Sequence, residues 1–497
     1  MNGRRALIQG FGWGALAGLV LVALMYLASL LLDLKPLTQA LNEPLLSIMP
    51  GFVFGFLIDT LQHAGKVVEE FGLIVAMIVA LGVLGAAWAW TALRWHFQYS
   101  GLVFAGAGWL VVVVLLLPVA GDGPFGLDSG PTTPLVWAAL FAVYGVVLQL
   151  GGRPDTAPAD PDRRRLLSVL PLSLGALSLG VLAFKLAPNW YQAIFDPPEA
   201  GLYGRSPQLT PIENFYVVSK NFGDPQIDGG SWRLKIGGMA GNPVSLTLQD
   251  LRALPVTTEF VTLECISNNV GGNLMSTGGF TGVSLKYLLD QVKPTSSATW
   301  AAFKAADGYS ESLPLSAINS DPTILVAYEL DGQQLPGPHG YPARILIPGR
   351  YGMKGPKWLT EIDLVDHESG GYWEQQGWDH NAVVKTTSRF DVPRDGDIVK
   401  MSGVSVSGVA YAGTRGIGKV EVTTDGGRSW TEAQRTAPLS PLTWVLWNLD
   451  WTPPKEGSYH LGVRATDGAG AVQESNDASS YPGGSMGYHD IRVDVSK

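Results

Sequence analysis

Long apolar runs separated by short charged segments dominate the first 190 residues. Five uncharged runs each approach the roughly 20 residues that a helix needs to cross a bilayer, and they cover residues 6–32, 71–93, 95–121, 129–152 and 166–184. A sixth run, residues 44–58, is shorter and contains Pro50 and two glycines, so we expect an interfacial or re-entrant segment there. The pattern predicts an α-helical transmembrane domain of about five helices, residues 1–187.

The basic residues of this half alternate between the two predicted sides of the membrane. With five spans, the first side receives Arg4, Arg5, Arg94, Arg153 and Arg163 to Arg165, and the second side receives Lys35, Lys66 and Lys185. The positive-inside rule then places the N-terminus in the cytoplasm and residues 186–497 outside it. The sequence DRRRLL, residues 162–167, is either a stop-transfer charge cluster or an internal twin-arginine export signal.

From residue 190 the pattern changes to short β-type runs separated by Gly, Pro, Asn and Asp. SWRLKIGGMAGNPVSLTLQDL alternates like a hairpin and then enters a short helix. VSLKYLLDQV has the apolar spacing of a helix. YPARILIPGRYGMKGPKWLTEIDLVD predicts two strands around a loop. Together these runs predict an α+β domain over residues 190–393.

The segment from residue 395 onwards has a different character. VSVSGVAYAG, GKVEVTTDGGRSWTEAQ, LTWVLWNLDW and YHLGVRATDGAG are alternating runs at regular spacing. Asp425-Gly426-Gly427 is a hairpin-turn signal between two of them. We therefore predict an immunoglobulin-like β-sandwich over residues 395–497, a module typical of binding or dimerisation.

Charge and cysteine content exclude several classes of function. Residues 1–190 are neutral, with ten basic and ten acidic residues, so the whole formal charge of −9 lies on residues 191–497. An acidic half of this kind does not favour a phosphate backbone, so we expect no nucleic-acid partner. The chain contains one cysteine, Cys265, which excludes an internal disulfide framework and a multi-thiolate metal cluster within the chain.

Three roles are open for Cys265 from the residues alone. It follows a strand-like run in FVTLECISNNVGG and precedes a small, polar, glycine-rich loop. It could be a small buried hydrophobic residue, the usual fate of a free cysteine. It could be a nucleophile, which needs a base beside it. It could also be a soft ligand to a metal whose other ligands come from a bound cofactor. Spacing does not choose among them.

Five motifs in order give the outer half a family resemblance. NFYVVSKNF, TLECISNNVGG, ADGYSESLPL, LVAYELDGQQLPGPHGYPARILIPGRYGMKGPKWL and VEVTTDGGRSW span about residues 205–497. Together they resemble the sulfite oxidase family of molybdopterin enzymes, which includes periplasmic methionine sulfoxide reductase catalytic subunits. The resemblance implies a molybdenum–molybdopterin cofactor, with Cys265 as the metal ligand.

The resemblance also implies a set of cofactor contacts. The implied residues are Tyr216, Val217, Ser219, Lys220, Asp307, His339, Arg344, Gly355, Pro356 and Lys357. A phosphate monoester needs fixed cations and backbone amides, which Arg344, Lys357 and the glycine-containing loop could supply. Without the resemblance, surface roles for Arg344 and Lys357 would be preferred.

Tyr309 is the second candidate catalytic residue. It matches the tyrosine that lies near the metal oxo groups in sulfite oxidases, where a phenol could donate a hydrogen bond to a bound oxygen or substrate. Packing in the core with a satisfied hydroxyl group is an equal alternative.

Two departures from the family pattern bear on the site. Val218-Ser219-Lys220 stands where sulfite oxidases have Arg-Asn-His, so these three side-chain contacts are less secure than the backbone contacts around them. Val270 stands where their last arginine after the ligand cysteine helps to bind sulfite. Loss of that guanidinium removes a strong oxyanion anchor.

The sequence therefore predicts a membrane-anchored molybdenum oxidoreductase that performs two-electron oxygen-atom transfer on a small oxide. Sulfoxides or N-oxides are favoured over sulfite. Sulfite oxidation with a rearranged anion site, and a non-catalytic scaffold that retains the fold, are the alternatives. Expected partners are a small-molecule substrate, an external electron-transfer protein or the quinone pool, and a second copy through the C-terminal domain. The membrane helices receive no task beyond anchoring.

Overall fold

The computed structural model describes residues 3–32, 34–41, 44–45, 63–92, 99–151, 161–195, 205–221 and 224–497. The described residues form two compact units, one before residue 198 and one after it. Each unit has its own hydrophobic core.

The first unit is a bundle of long apolar helices. Its main helices are Gly3–Leu31, His63–Ala92, Ser100–Val111, Thr133–Gly151 and Pro161–Phe195. The third of them continues through a π-helical turn, Val112–Leu116, into Leu117–Val119. Among the described residues, five helices are long and apolar enough to cross a membrane. This agrees with the five predicted spans, while the sixth run lies almost wholly outside the described residues.

Glycines allow the first two long helices to pack closely. A Cβ on Gly85 would lie 2.6 Å from the Gly14 Cα, and a Cβ on Gly14 would lie 2.6 Å from the Leu81 carbonyl oxygen. Small residues at such a crossing let two helix backbones approach each other and gain van der Waals contact.

A buried carboxylate connects several helices of this unit. Glu70 accepts hydrogen bonds from the Tyr26 hydroxyl at 2.8 Å and from the Trp190 indole N–H at 2.9 Å. The Tyr26 hydroxyl is also 2.9 Å from the Thr38 hydroxyl. An ionisable group in an apolar bundle is costly unless it is hydrogen-bonded, and both Glu70 oxygens are.

The second unit begins with two mixed α/β layers. The strands of its first part are β1 Leu234–Gly238, β2 Val244–Leu246, β3 Thr257–Glu264, β4 Met275–Ser284, β5 Trp300–Ala305, β6 Ser310–Pro314, β7 Leu325–Leu330, β8 Gln333–Gln334, β9 Arg344–Leu346 and β10 Leu359–Val365. One sheet has the order β2-β1-β10-β5-β6, and the other has the order β3-β4-β7-β8 with β9 paired to β7. Short helices Leu248–Arg252, Leu285–Val292 and Leu315–Ser320 follow β2, β4 and β6.

The second part of this unit consists of two β-sheets. Its strands are β11 Thr387–Val392, β12 Ile398–Lys400, β13 Val404–Tyr411, β14 Ile417–Thr423, β15 Thr431–Glu432, β16 Gln434–Arg435, β17 Val445–Trp451, β18 Gly457–Asp467 and β19 His489–Ser496. The sheet orders are β11-β13-β17-β16 and β12-β19-β18-β14-β15. Alternating inward residues such as Val406, Val420 and Leu461 form their shared core.

Hydrogen bonds at Thr262 join the two parts of the second unit. Thr262 lies in β3, at the edge of its sheet, and its N–H donates to the Leu442 carbonyl at 3.1 Å. Its carbonyl accepts from the Tyr411 hydroxyl at 2.8 Å. Its hydroxyl oxygen accepts from the Trp444 N–H at 2.8 Å. The second part thus covers the strand edge that leads to Cys265.

The local sequence predictions for this unit are confirmed by its elements. The hairpin of β1 and β2 precedes a helix, as expected, and Thr247 begins that helix in a capping box with Asp250. The turn signal at Asp425 to Gly427 separates the antiparallel strands β14 and β15. The structure establishes a β-rich C-terminal part, and the immunoglobulin-like topology remains a prediction.

Candidate functional site

Cys265 lies directly after β3, where the strand turns into a tight loop. Its N–H donates to the Leu274 carbonyl at 2.9 Å, and its carbonyl accepts from the Asn268 N–H at 3.0 Å. The side chain is half-buried, and its Sγ is 3.1 Å from the Ser267 hydroxyl oxygen. Burial raises the pKa of the Cys265 thiol, against the hydrogen bond from Ser267. The raised pKa does not favour a preformed thiolate, and the half-buried side chain packs against the apolar cluster that includes Tyr216, Val261 and Leu263.

The loop after Cys265 is fixed by residues of the C-terminal part. The Arg389 guanidinium donates to the Gly272 carbonyl at 2.6 Å, and the Ser485 hydroxyl donates to the Asn268 carbonyl at 2.7 Å. Gly271 has a φ of +75°, and a Cβ there would lie 2.5 Å from the His489 Nε2. Glycine is needed at this position because the backbone is left-handed and the imidazole is close.

Glu264 is an ionisable group that sequence reasoning missed beside Cys265. Its Oε1 accepts from the Asn268 amide at 2.9 Å, while its Oε2 is buried without a hydrogen-bond partner among the described residues. Burial raises the pKa of Glu264 to about 7, although the Asn268 hydrogen bond and the Arg389 charge act to lower it. The sequence contains one signal for this residue: a glutamate ends the mostly apolar strand-like run FVTLE, directly before Cys265.

Arg344 is a buried cation on β9. Its Nη1 donates to the His339 carbonyl at 3.2 Å and its Nη2 to the Gly355 carbonyl at 3.4 Å. Its Nε has no hydrogen-bond partner, and no described carboxylate lies within ion-pair distance. Burial lowers the pKa of Arg344 to about 10. Within the described part of the chain, this buried guanidinium thus has no anionic partner.

His339 is packed beside this guanidinium. Its ring makes an edge contact with Phe215, with centroids 5.4 Å apart. Burial and the positive charges of Arg344 and Lys357 lower the pKa of His339 to about 4. His339 is therefore a neutral hydrogen-bonding group at neutral pH.

A network of hydrogen bonds joins residues 219–221, which precede β1, to the loop before β10. The Lys357 ammonium donates to the Ser219 hydroxyl at 2.7 Å and to the Pro338 carbonyl at 2.9 Å. The Asn221 amide donates to the Asp307 carbonyl at 3.1 Å, and Lys220 contacts Asn221 at 3.2 Å. Four segments far apart in sequence thereby meet.

Asp307 and Lys220 complete this network. Burial raises the pKa of Asp307, while the Tyr309 N–H and the charges of Lys220 and Lys357 oppose that rise. The Lys220 ammonium, on a buried side chain, lies 5.0 Å from the centre of the Tyr372 ring. Tyr372 was not singled out from the sequence, which gives no sign that its ring would face Lys220.

The remaining predicted residues differ in how closely they approach this centre. Tyr216 is buried, and burial raises the pKa of its phenol. Cys265 adds to that rise, and the Arg344 charge opposes it. Gly355 and Pro356 are buried, with the Pro356 carbonyl bonded to the Ile345 N–H at 2.9 Å. Val217 is half-buried, and no side-chain hydrogen bond or ion pair is open to its apolar side chain. Thus the predicted residues converge, with Val217 the weakest member.

Tyr309 is buried, and its hydroxyl donates to the Met353 carbonyl at 2.6 Å. Burial, and then the negative charges of Glu311, Asp307, Glu374 and Cys265, raise the pKa of its phenol. The packing role is therefore realised in this structure. Donation to a substrate oxygen would require the hydroxyl to leave Met353.

These residues fit a molybdopterin. Arg344 supplies a buried cation with an unpartnered N–H, Lys357 supplies a second cation, and the glycine loops allow a phosphate to approach the backbone. The half-buried thiol of Cys265 could supply a soft ligand of the kind that suits molybdenum. The site thus defines a cofactor-binding oxidoreductase site of the molybdopterin class.

Comparison with known proteins agrees with this class. Residues 221–373 match the oxidoreductase molybdopterin binding domain, and residues 379–495 match the Mo-co oxidoreductase dimerisation domain. Sulfite oxidase of Arabidopsis thaliana is 31% identical over 347 residues, covering 58% of this chain and 87% of that protein. The chain belongs to the sulfite oxidase family of molybdopterin-dependent oxidoreductases.

Two further comparisons mark the extent of the likeness. Mitochondrial sulfite oxidase of Mus musculus is 28% identical over 324 residues, and the match covers 56% of this chain but only 59% of the mouse protein. The crystal structure of the sulfane dehydrogenase SoxCD from Paracoccus pantotrophus matches with a TM-score of 0.52 at 22% identity, covering 60% of this chain and 86% of that chain. The last likeness concerns the fold alone.

Proposed function

We propose that this protein is a membrane-anchored molybdenum oxidoreductase whose catalytic domain lies outside the cytoplasm. Its reaction is two-electron oxygen-atom transfer on a small neutral oxide, of the sulfoxide or N-oxide type. The observation that carries the proposal is the buried Arg344 guanidinium, whose Nε has no hydrogen-bond partner among the described residues and which lies among the residues that converge with Cys265. A non-catalytic scaffold would gain nothing from that unpaired charge, which is costly to bury.

The roles of the chain's own residues follow from their chemistry. When bound, the cofactor supplies a metal that exchanges two electrons and an oxygen atom with substrate. Cys265 would hold the metal. Arg344, Lys357 and neutral His339 would hold the pterin and its phosphate. The remaining contacts would come from Tyr216, Val217, Ser219, Lys220, Asp307, Gly355 and Pro356. Tyr309 is the candidate donor toward substrate oxygen.

The preference for a neutral oxide rests on Val270. It is half-buried in the loop that Arg389 and Ser485 fix, so an apolar side chain stands where sulfite oxidases place an arginine. Because a guanidinium fork binds an oxyanion through two parallel charge-assisted hydrogen bonds, its loss disfavours sulfite. The similarity to proteins named sulfite oxidase supports sulfite oxidation as the second candidate.

The test combines metal analysis with a substrate comparison. Protein matured in a host that makes the cofactor should contain about one molybdenum per chain. It should turn over a small sulfoxide or N-oxide faster than sulfite. Val270→Arg should raise kcat/KM for sulfite by about 10- to 150-fold, the value of one charge-assisted contact, whereas Val270→Met, the uncharged control, should not. Absence of molybdenum would favour the scaffold, and efficient wild-type turnover of sulfite would favour the second candidate.

The proposal extends to organisation and partners. The three domains are 1–187, 190–393 and 395–497, the last an immunoglobulin-like module that joins two copies into a homodimer. The name of the matched dimerisation domain supports that association. The five apolar helices support anchoring in the membrane, with the N-terminus cytoplasmic. Electrons would pass to or from an external carrier protein or the quinone pool. Light scattering of detergent-solubilised protein tests the dimer.

A further inference from the structure

A buried group of three charged residues lies next to Tyr309 and has no part in the roles given above. The Lys354 ammonium donates to Glu311 Oε1 at 2.6 Å and also to Glu374 Oε1. The three side chains are 0 to 3% exposed. Glu311 Oε2 is buried without a hydrogen-bond partner among the described residues.

The backbone ties this group to the candidate site. Tyr309 immediately precedes β6 and Glu311 lies in it, so their side chains project from the same face. That face meets the turn Gly352–Lys354, where Tyr309 contacts Met353 and Glu311 contacts Lys354. Burial raises the pKa of the Tyr309 phenol, and Glu311 and Cys265 lie close enough to add to that rise when they are charged.

The group also leads to solvent. Glu374 Oε2 accepts from the Gly371 N–H at 2.6 Å and lies 3.6 Å from His380 Nδ1. That nitrogen is 3.1 Å from Glu368 Oε1. The His380 side chain is 60% exposed, so its ring can rotate to close the longer gap. Glu368, Glu374 and His380 could together ligate a cation, but the Lys354 ammonium already occupies Glu374, which argues against a metal there.

We propose that Glu311, Lys354 and Glu374 form a proton relay that stores one proton beside the cofactor site and exchanges it with solvent through His380 and Glu368. Two carboxylates share one ammonium in a buried site. The three side chains together are therefore neutral only when one carboxyl group keeps its proton.

The surrounding charges identify Glu311 as that carboxyl group. Burial raises the pKa of Glu311 to about 8, and Glu374 raises it further while Lys354 opposes the rise. For Glu374, burial acts upward, but hydrogen bonds from Lys354 and the Gly371 N–H keep its pKa below the ordinary value. Arg350 also lies close enough to interact electrostatically with Glu311.

The relay serves the proposed oxygen-atom transfer, on which its catalytic role rests. Reduction of an oxide consumes two protons and two electrons and releases the oxygen as water, with the electrons supplied by the external carrier or quinol. In each proton step, the O–H bond of Glu311 breaks and the proton goes to the departing oxygen. The resulting carboxylate regains a proton from Lys354, which is reprotonated from the Glu374 and His380 side. In the opposite direction of turnover, the same groups carry protons out.

Infrared difference spectroscopy on the full holoprotein tests the stored proton without reference to activity. Burial raises the pKa of both Glu264 and Glu311 into this range. Between pH 6 and pH 10, the wild type should therefore lose the bands of two protonated carboxyl groups, and Glu311→Gln should lose one band fewer. Glu421→Gln is the control, because Glu421 is likewise a carboxylate held in ion pairs, with Lys419 and Arg464, but lies far along the chain in β14. An equal loss of carboxyl bands in the wild type and in Glu311→Gln overturns the storage of a proton by Glu311.

Turnover tests the relay. With a small sulfoxide, Glu311→Gln should lower kcat about tenfold at pH 7 with KM unchanged and a larger solvent isotope effect. His380→Ala should also lower kcat, and added imidazole should restore it. A loss that follows molybdenum content, with no change in isotope effect and no imidazole rescue, would make the group merely structural. If Glu311→Gln fails to fold, His380→Ala decides alone. If no substrate is turned over, the proposed function fails while the infrared result still stands.

Discussion

Arg344→Met should separate the stability of the cofactor-free protein from its ability to keep the cofactor. The substitution removes a buried cation and retains an unbranched side chain of similar length. In most proteins, removal of one partner of a buried ion pair costs about 3–5 kcal/mol. Arg344 has no such partner among the described residues, so that cost should not arise here.

The magnitude follows from the surroundings of the guanidinium. A pKa lowered to about 10 by burial corresponds to about 3 kcal/mol of unfavourable free energy for the charged form. Methionine relieves this term but loses the two long hydrogen bonds to His339 and Gly355, worth about 1 kcal/mol each. The unfolding free energy of the cofactor-free protein should therefore stay within about 2 kcal/mol of the wild-type value.

The cofactor-loaded protein should respond differently. A charge-assisted phosphate contact contributes about 1.5–3 kcal/mol, so Arg344→Met should retain the pterin about 10- to 150-fold less tightly. The assays are denaturant unfolding of cofactor-free protein and pterin fluorescence with molybdenum content after dialysis. Arg344→Lys, which keeps the charge without the fork, should fall between the two. A variant that unfolds easily yet keeps its cofactor would refute the assignment of Arg344 to the phosphate.

Three further predictions concern other residues of the second unit. Cys265→Ser should abolish molybdenum-dependent turnover and leave the unfolding free energy of the cofactor-free protein unchanged, since the side chains are nearly isosteric; retained turnover would remove Cys265 from the metal. Arg389→Met should cost about 3–5 kcal/mol in chemical unfolding, because it removes the cation paired with Asp391, whose side chain is 8% exposed, and the donor to the Gly272 carbonyl. The control Arg464→Met, at a more exposed pair, should cost about 1 kcal/mol or less. Because the pKa of Glu311 is raised to about 8, the unfolded chain binds fewer protons than the folded chain between about pH 5 and pH 8. Stability measured by thermal unfolding should therefore fall as pH rises through that window, more steeply than in Glu311→Gln. An equal slope in both proteins would contradict a protonated Glu311.

Local patterns were sufficient to predict most elements of the fold. The five spans have helical counterparts because apolar length alone identifies a candidate membrane helix. The hairpin of β1 and β2 and the turn at Asp425 are set by neighbouring residues. The resemblance then named residues that the structure brings together around Arg344 and Lys357.

Pairings between distant segments could not be predicted in this way. β1 pairs in parallel with β10, with Lys235 opposite Glu361, and no local pattern encodes that register. The contact of Arg389 with the Cys265 loop joins residues 117 positions apart. Glu311 and Lys354 look like ordinary surface charges in sequence, and only their burial against each other reveals a common role.

The hydrogen bonds that Thr262 makes with Leu442, Tyr411 and Trp444 have a consequence for how this protein can be divided. Cutting the chain between the two parts of the second unit would strand a backbone N–H and a carbonyl on an open sheet edge, three residues from the thiol. The boundary between the two matched domains lies between residues 373 and 379. It therefore does not separate two parts that fold independently. Calorimetry of the second unit should register a single cooperative unfolding transition. If the first part of that unit is produced without the second part, it should aggregate along the exposed edge of β3.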